Sequence, residues 1–157
     1  MRIQKANLSF HDPLQPLQTV IQIIVHHTAE NGWDIYKTHN FHQNKRGWSG
    51  IGYNYFIEED GTIYEGRGLY IGAHAKGYNT ESIGICISGN FDTYDPTPVQ
   101  MISLHWLCEQ LMRQFSLDSD RVLGHRELDG VTKTCPGTRF SMVELRNILS
   151  NNEKGDL

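Results

Sequence analysis

The run IQIIV, from Ile21 to Val25, is apolar on both faces, with Gln22 its one polar residue, and leads directly into His26 and His27. A stretch apolar on both sides suits a central strand covered on two faces, with something polar happening where it ends. SIGICIS, from Ser82 to Ser88, alternates instead, with Ile83, Ile85 and Ile87 on one face and Gly84 and Cys86 on the other, which predicts a second inner strand. In YNYFIEEDGTIYEG, two β-rich runs flank Asp60-Gly61, a pair suited to the positive φ of a tight hairpin turn.

Helical periods fill the gaps. Asp34 can cap a helix running toward Lys45 and Arg46, whose charges suit its carboxyl end, with Gly47 to terminate it. Thr97, Pro98 and Gln100 form a capping box with proline at the first helical position, and Met101, Leu104, Cys108, Leu111, Met112 and Phe115 recur at helical spacing. A short strand near Val122 and Leu123 precedes the polar loop GHRELDGVTKTCPG, and Ser141 with Glu144 repeats the capping-box pattern to open a last helix. The order predicts an α/β fold with a central mixed sheet flanked by helices, one domain over residues 1–157 with its core at about 20–150. The first dozen residues and the polar tail SNNEKGDL are expected to be loose ends.

Composition narrows the function. A chain of 157 residues with a formal net charge of -4 and no basic stripe is not built for nucleic acid. No run approaches the roughly 18 apolar residues of a membrane span, and MRIQKANLSFHD lacks the apolar core of a signal peptide. Cytoplasmic synthesis without membrane insertion is the expectation, the alternative being a domain cut from a secreted protein; a monomer is expected. Three cysteines, Cys86, Cys108 and Cys135, do not make a disulfide scaffold. Cys86 and Cys108 fall on a strand and a helical stripe and read as small core hydrophobes.

The eight histidines invite a metal. Neighbouring strand side chains point to opposite faces, so His26 and His27 are not expected to share a site. His125 and Cys135 flank a Gly-containing loop that can fold an imidazole and a thiolate back onto one ion. His11, His39 and His105 carry no argument beyond ordinary structural or surface roles, and His42 reads as packing or support of a ligand.

Four segments, IIVHHTA, RGWSGIGYNYFI with DGTIYEGRG, GAHAKGYNTESIGICISGNF, and GHRELDGVTKTCPG, occur in this order. In them the chain resembles the amidase-2 family, which includes short phage amidases and peptidoglycan recognition proteins. The resemblance runs from about Ile21 to Phe140 and implies zinc held by His26, His125 and Cys135. Three protein ligands leave a fourth position for water, the pattern of a catalytic rather than a structural zinc. It further implies Lys133 as the stabiliser of an oxyanion and Tyr53 as an active-site phenol. In one cytoplasmic branch a glutamate base lies where this chain has Cys86, so no carboxylate base is assigned. His74, Lys76 and Asn79, in AHAKGYN, are either substrate contacts or partners in the loop's own hydrogen bonds.

The function implied is zinc-dependent hydrolysis of the amide between N-acetylmuramic acid and L-alanine in peptidoglycan, as in a phage or prophage endolysin that reaches the wall after release. A peptidoglycan-binding module without activity, a zinc peptidase acting within the stem peptide, and a domain of a secreted autolysin are the alternatives.

Overall fold

The computed structural model describes residues 1–155. Among them six strands form one mixed sheet: β1 (Ile3–Lys5), β2 (Gln22–His27), β3 (Tyr55–Ile57), β4 (Ile63–Glu65), β5 (Ser82–Ile87) and β6 (Val122–Gly124). They lie in the order β1-β4-β3-β5-β2-β6. The hairpin partners β3 and β4 are antiparallel, with Gly61 at φ +88° in the turn as the Asp-Gly pair predicts; the other pairs are parallel.

Three helices cover the sheet: α1 (Ile35–Asn44), α2 (Pro98–Phe115) and α3 (Met142–Gly155). Asp34 caps α1 by accepting the Lys37 N–H, and both halves of the capping box form at Thr97 and Gln100. On one face of the sheet Ile23, Val25, Ile83, Ile85 and Ile87 pack under Leu104, Leu107, Cys108 and Leu111 of α2 and Leu145 and Leu149 of α3. Each such side chain, fully removed from water, contributes roughly 1.5–3 kcal/mol before conformational entropy is charged. On the opposite face Phe56 and Cys86 pack with Ile35 of α1 and with Ile51. The stripe on α2 and the alternation in β5 therefore place Cys108 and Cys86 in the core, both free thiols. No helix among the described residues is long and apolar enough to cross a membrane.

Among the described residues the expected loose ends form regular structure. Ile3–Lys5 forms β1, pairing in parallel with Ile63–Glu65, and Ala6, Leu8 and Phe10 pack on the α1 side of the core. His39 ties this segment down: its Nε2 lies 3.0 Å from the Ser9 carbonyl oxygen, and its Nδ1 accepts the Ile51 N–H at 2.9 Å. At the other end α3 continues through Gly155, with Asn152 Nδ2 donating to Glu109 Oε1; Asp156 and Leu157 lie outside the described residues.

Candidate metal centre and cleft

Strands β2, β5 and β6 are parallel and end at one rim of the sheet, the place where open α/β sheets gather their sites. β2 delivers His26 there, and His125 follows immediately on the last residue of β6. The alternation holds: His26 is 2% exposed and faces the α1 side, whereas the His27 ring stacks on Phe91 and accepts the Phe91 N–H at its Nδ1.

Cys135 is returned to the rim by a loop that Arg126 organises. The Arg126 backbone N–H donates to the Cys135 carbonyl at 2.7 Å, and its guanidinium donates to the carbonyls of Thr134, Gly137 and Phe140. Asp92 closes the other side, accepting from Thr134 Oγ1 and from the Thr138 N–H.

One donor atom from each of His26, His125 and Cys135 falls within 4.8 Å of the others. His26 Nδ1 stands 3.6 Å from Cys135 Sγ. Tetrahedral zinc, with about 2.05 Å to nitrogen and 2.3 Å to sulfur, requires a nitrogen–sulfur separation of about 3.6 Å, which this pair matches. Burial, reinforced by His74 and His125, pushes His26 well below its usual range, and burial with the Lys133 charge lowers His125; neutral imidazoles are the ligating form. Burial pushes the Cys135 thiol up to about 12, against the His27 backbone N–H and the charges of Lys133 and Arg126. A bound dication would deprotonate it outright.

These residues lie in a cleft of about 580 Å³, walled also by Arg46, Trp48, Tyr53, Asp92 and Lys133. A second hollow, about 550 Å³, shares Arg46, Trp48, His125 and Lys133 and adds Lys76 and Asn79. Residues 16–138 match the family of N-acetylmuramoyl-L-alanine amidases. The chain belongs to this family. It is 31% identical to the endolysin of Enterobacteria phage T3 over 150 residues, covering 90% of this chain and 96% of that protein. It is 37% identical to peptidoglycan-recognition protein SC2 of Drosophila melanogaster over 127 residues, 74% of this chain and 68% of that protein. Among solved structures, the endolysin amidase LysCS from Clostridium intestinale superposes with a TM-score of 0.87 at 36% identity, covering 94% of this chain and 95% of that one.

Within this N-acetylmuramoyl-L-alanine amidase fold, the remaining sequence candidates divide. Tyr53 is half-buried, its ring 5.3 Å from that of His26 and 5.5 Å from that of His42. Burial raises its phenol well above the usual value, with Cys86 and Cys135 adding to the effect. Lys133 is exposed on the cleft wall and Lys76 on the adjoining hollow. Asn79 takes the loop-internal option, accepting the N–H groups of both His74 and Ala75 at 2.9 Å.

His74, weighed as a substrate contact, lies beneath the rim and is 9% exposed. Its Nδ1 is 2.9 Å from His26 Nε2 and its Nε2 3.3 Å from Ser82 Oγ, and it also lines both the cleft and the adjoining hollow. His42 packs between Trp48 and Tyr53 and accepts the Gly52 N–H.

Sequence reasoning passed over Arg126, Asp92, Arg46, Trp48 and Ser82. Arg46, Trp48, Ser82 and Arg126 all sat inside the quoted segments, Arg126 beside a ligand candidate, which was the available signal; Asp92 lies just outside them and acts on Thr134 and Thr138, more than 40 residues away. Asp92 is the carboxylate on the cleft wall, and both its oxygens hold the Cys135 loop.

Proposed function

We propose that this protein is a zinc-dependent N-acetylmuramoyl-L-alanine amidase that cuts the amide between N-acetylmuramic acid and L-alanine in peptidoglycan, as a phage or prophage endolysin does. The observation that carries this reading is the His26, His125 and Cys135 cluster, within 4.8 Å at the floor of an open cleft. Zinc held there supplies Lewis acidity toward a carbonyl and toward water, with a formal charge of +1 left after one thiolate.

Hydrolysis forms a C–O bond from water at the lactyl carbonyl carbon, breaks the C–N bond, and delivers a proton to the departing L-alanine nitrogen. Lys133, on the wall beside His125 and Cys135, donates to the carbonyl oxygen as it becomes negative. Tyr53, kept protonated by burial, acts as a hydrogen-bond donor rather than as the base. With Asp92 committed to Thr134 and Thr138, no lining carboxylate is free to take that part. Arg46, Lys76 and Lys133 give the cleft and its adjoining hollow a cationic wall, which suits the carboxylates of a stem peptide.

A second reading, a peptidoglycan receptor without turnover, is favoured by the likeness to a recognition protein. Purified protein incubated with muropeptides, stripped with a chelator and resupplied with zinc, separates the two by mass spectrometry. Free stem peptide together with lactyl-bearing glycan, lost on stripping and regained with zinc, supports the amidase. Intact muropeptides retained by the protein support the receptor, and cuts inside the stem support a peptidase.

A further inference from the structure

We propose that His74 and Ser82 form a positioning chain that dictates which ring nitrogen of His26 is offered to the metal. The proposal rests on the zinc reading above, but its hydrogen-bond logic starts from a backbone carbonyl. The Tyr78 carbonyl oxygen can only accept, and Ser82 Oγ donates to it at 2.7 Å. With its one proton so used, Ser82 Oγ can only accept from His74 Nε2 at 3.3 Å. A neutral imidazole protonated at Nε2 has a lone pair at Nδ1, so His74 Nδ1 accepts from His26 Nε2 at 2.9 Å. The proton on His26 is thereby assigned to Nε2, and its Nδ1, the nitrogen 3.6 Å from Cys135 Sγ, keeps its lone pair toward the metal position.

The surroundings are shaped to hold this chain. The rings of His26 and His74 meet at 88° with centroids 5.0 Å apart. Asn79 fixes the backbone of His74 through its N–H. Strand β5 leaves a gap at Gly84, where a Cβ would come within 2.6 Å of three His74 ring atoms. That explains a glycine in the middle of an otherwise apolar central strand, a residue that costs strand stability unless something packs close against the backbone. Such outer partners of metal-binding histidines fix tautomer and ring orientation, and losing one weakens metal affinity about 10–100-fold.

The test measures zinc affinity of the full chain by competition with a chromophoric chelator, alongside nitrogen-15 spectra of the imidazoles in metal-free protein. His74→Phe keeps the ring's bulk and removes the acceptor; it is expected to weaken zinc binding about 10–100-fold. His74→Asn, whose Oδ1 can accept from His26 Nε2, is expected to recover most of that loss. Ser82→Ala leaves both rings in place and carries the test should His74→Phe not fold; several-fold weaker zinc is expected. The spectra should show His26 protonated at Nε2. Unchanged zinc affinity in His74→Phe, or in Ser82→Ala if His74→Phe does not fold, would overturn the proposal, as would a His26 proton on Nδ1. If the wild-type chain takes up no zinc, the zinc reading itself fails, and the His26 tautomer still decides the hydrogen-bond chain.

Discussion

Cys135 arrives at the rim on a loop, and its place there depends on Arg126 reaching three carbonyls of that loop. Removing the guanidinium leaves those carbonyls without their charged donor. Arg126→Ala is expected to lower stability by about 2–3 kcal/mol, the scale of hydrogen bonds to a charged group, and to weaken zinc binding, both read by denaturant titration with and without metal. Lys133 is different because it is exposed on the cleft wall. Lys133→Ala should leave the unfolding midpoint within about 0.5 kcal/mol of wild type while kcat falls about 10²–10³-fold, the usual loss for one oxyanion donor. A fall in stability of similar weight to that of Arg126→Ala would assign Lys133 to structure instead. At this scale strand ends and the polar loop offered one of His26 and His27, with His125 and Cys135, as metal candidates, and the resemblance to the amidase-2 family chose His26 among them. The burial of His74 was not legible, because the ring that covers it, His26, lies 48 residues away in sequence.

Among the elements, α2 was the most legible, since capping box, Pro98 and apolar stripe all read the same way. Its first turn also does long-range work: Gln100 Nε2 donates to the carbonyls of Ser88 and Glu58, joining the helix to the end of β5 and to the hairpin. Thr97→Ala should therefore cost about 1–2 kcal/mol, the upper part of the range for a lost cap, as measured by urea denaturation; a change below about 0.3 kcal/mol would show that the cap is not coupled to those contacts. The strand β1 was the least legible. Three residues with no period of their own are held by pairing with β4 some 60 positions later, and propensity cannot report a partner that far away. The segment MRIQKANLSFHD therefore read as a loose end although Phe10 meets His39 edge to face at 5.2 Å.

Across the whole molecule, buried neutral histidines set the response to acid. Burial lowers His42 to about 4 and His74 to about 3. A histidine depressed in the folded state costs nothing above pH 6.5, where both states are neutral. Below that the unfolded chain gains a proton that the folded chain refuses, so stability falls as pH falls. The loss is up to about 1.4 kcal/mol per pH unit for each such group. Glu58, raised by burial to about 7, works in the opposite sense between pH 4.5 and 7 and offsets at most one of them. Net stability of metal-free protein should therefore decline between pH 6.5 and 4; a flat profile in urea titrations at pH 7 and pH 4.5 would contradict this. The mixed α/β architecture followed from the order of strand and helix periods, but the gathering of β2, β5 and β6 onto one rim is a property of the sheet order, which no local pattern carries.

The central claim is that His26, His125 and Cys135 hold the zinc on which amide cleavage depends. Zinc titrated into stripped protein, while release of free stem peptide from a muropeptide is followed, tests it most directly. The account predicts no release without metal, activity rising in proportion to bound zinc to a plateau at about one ion per chain, and no recovery in Cys135→Ser. Release from fully stripped protein, or full recovery in Cys135→Ser, would contradict it.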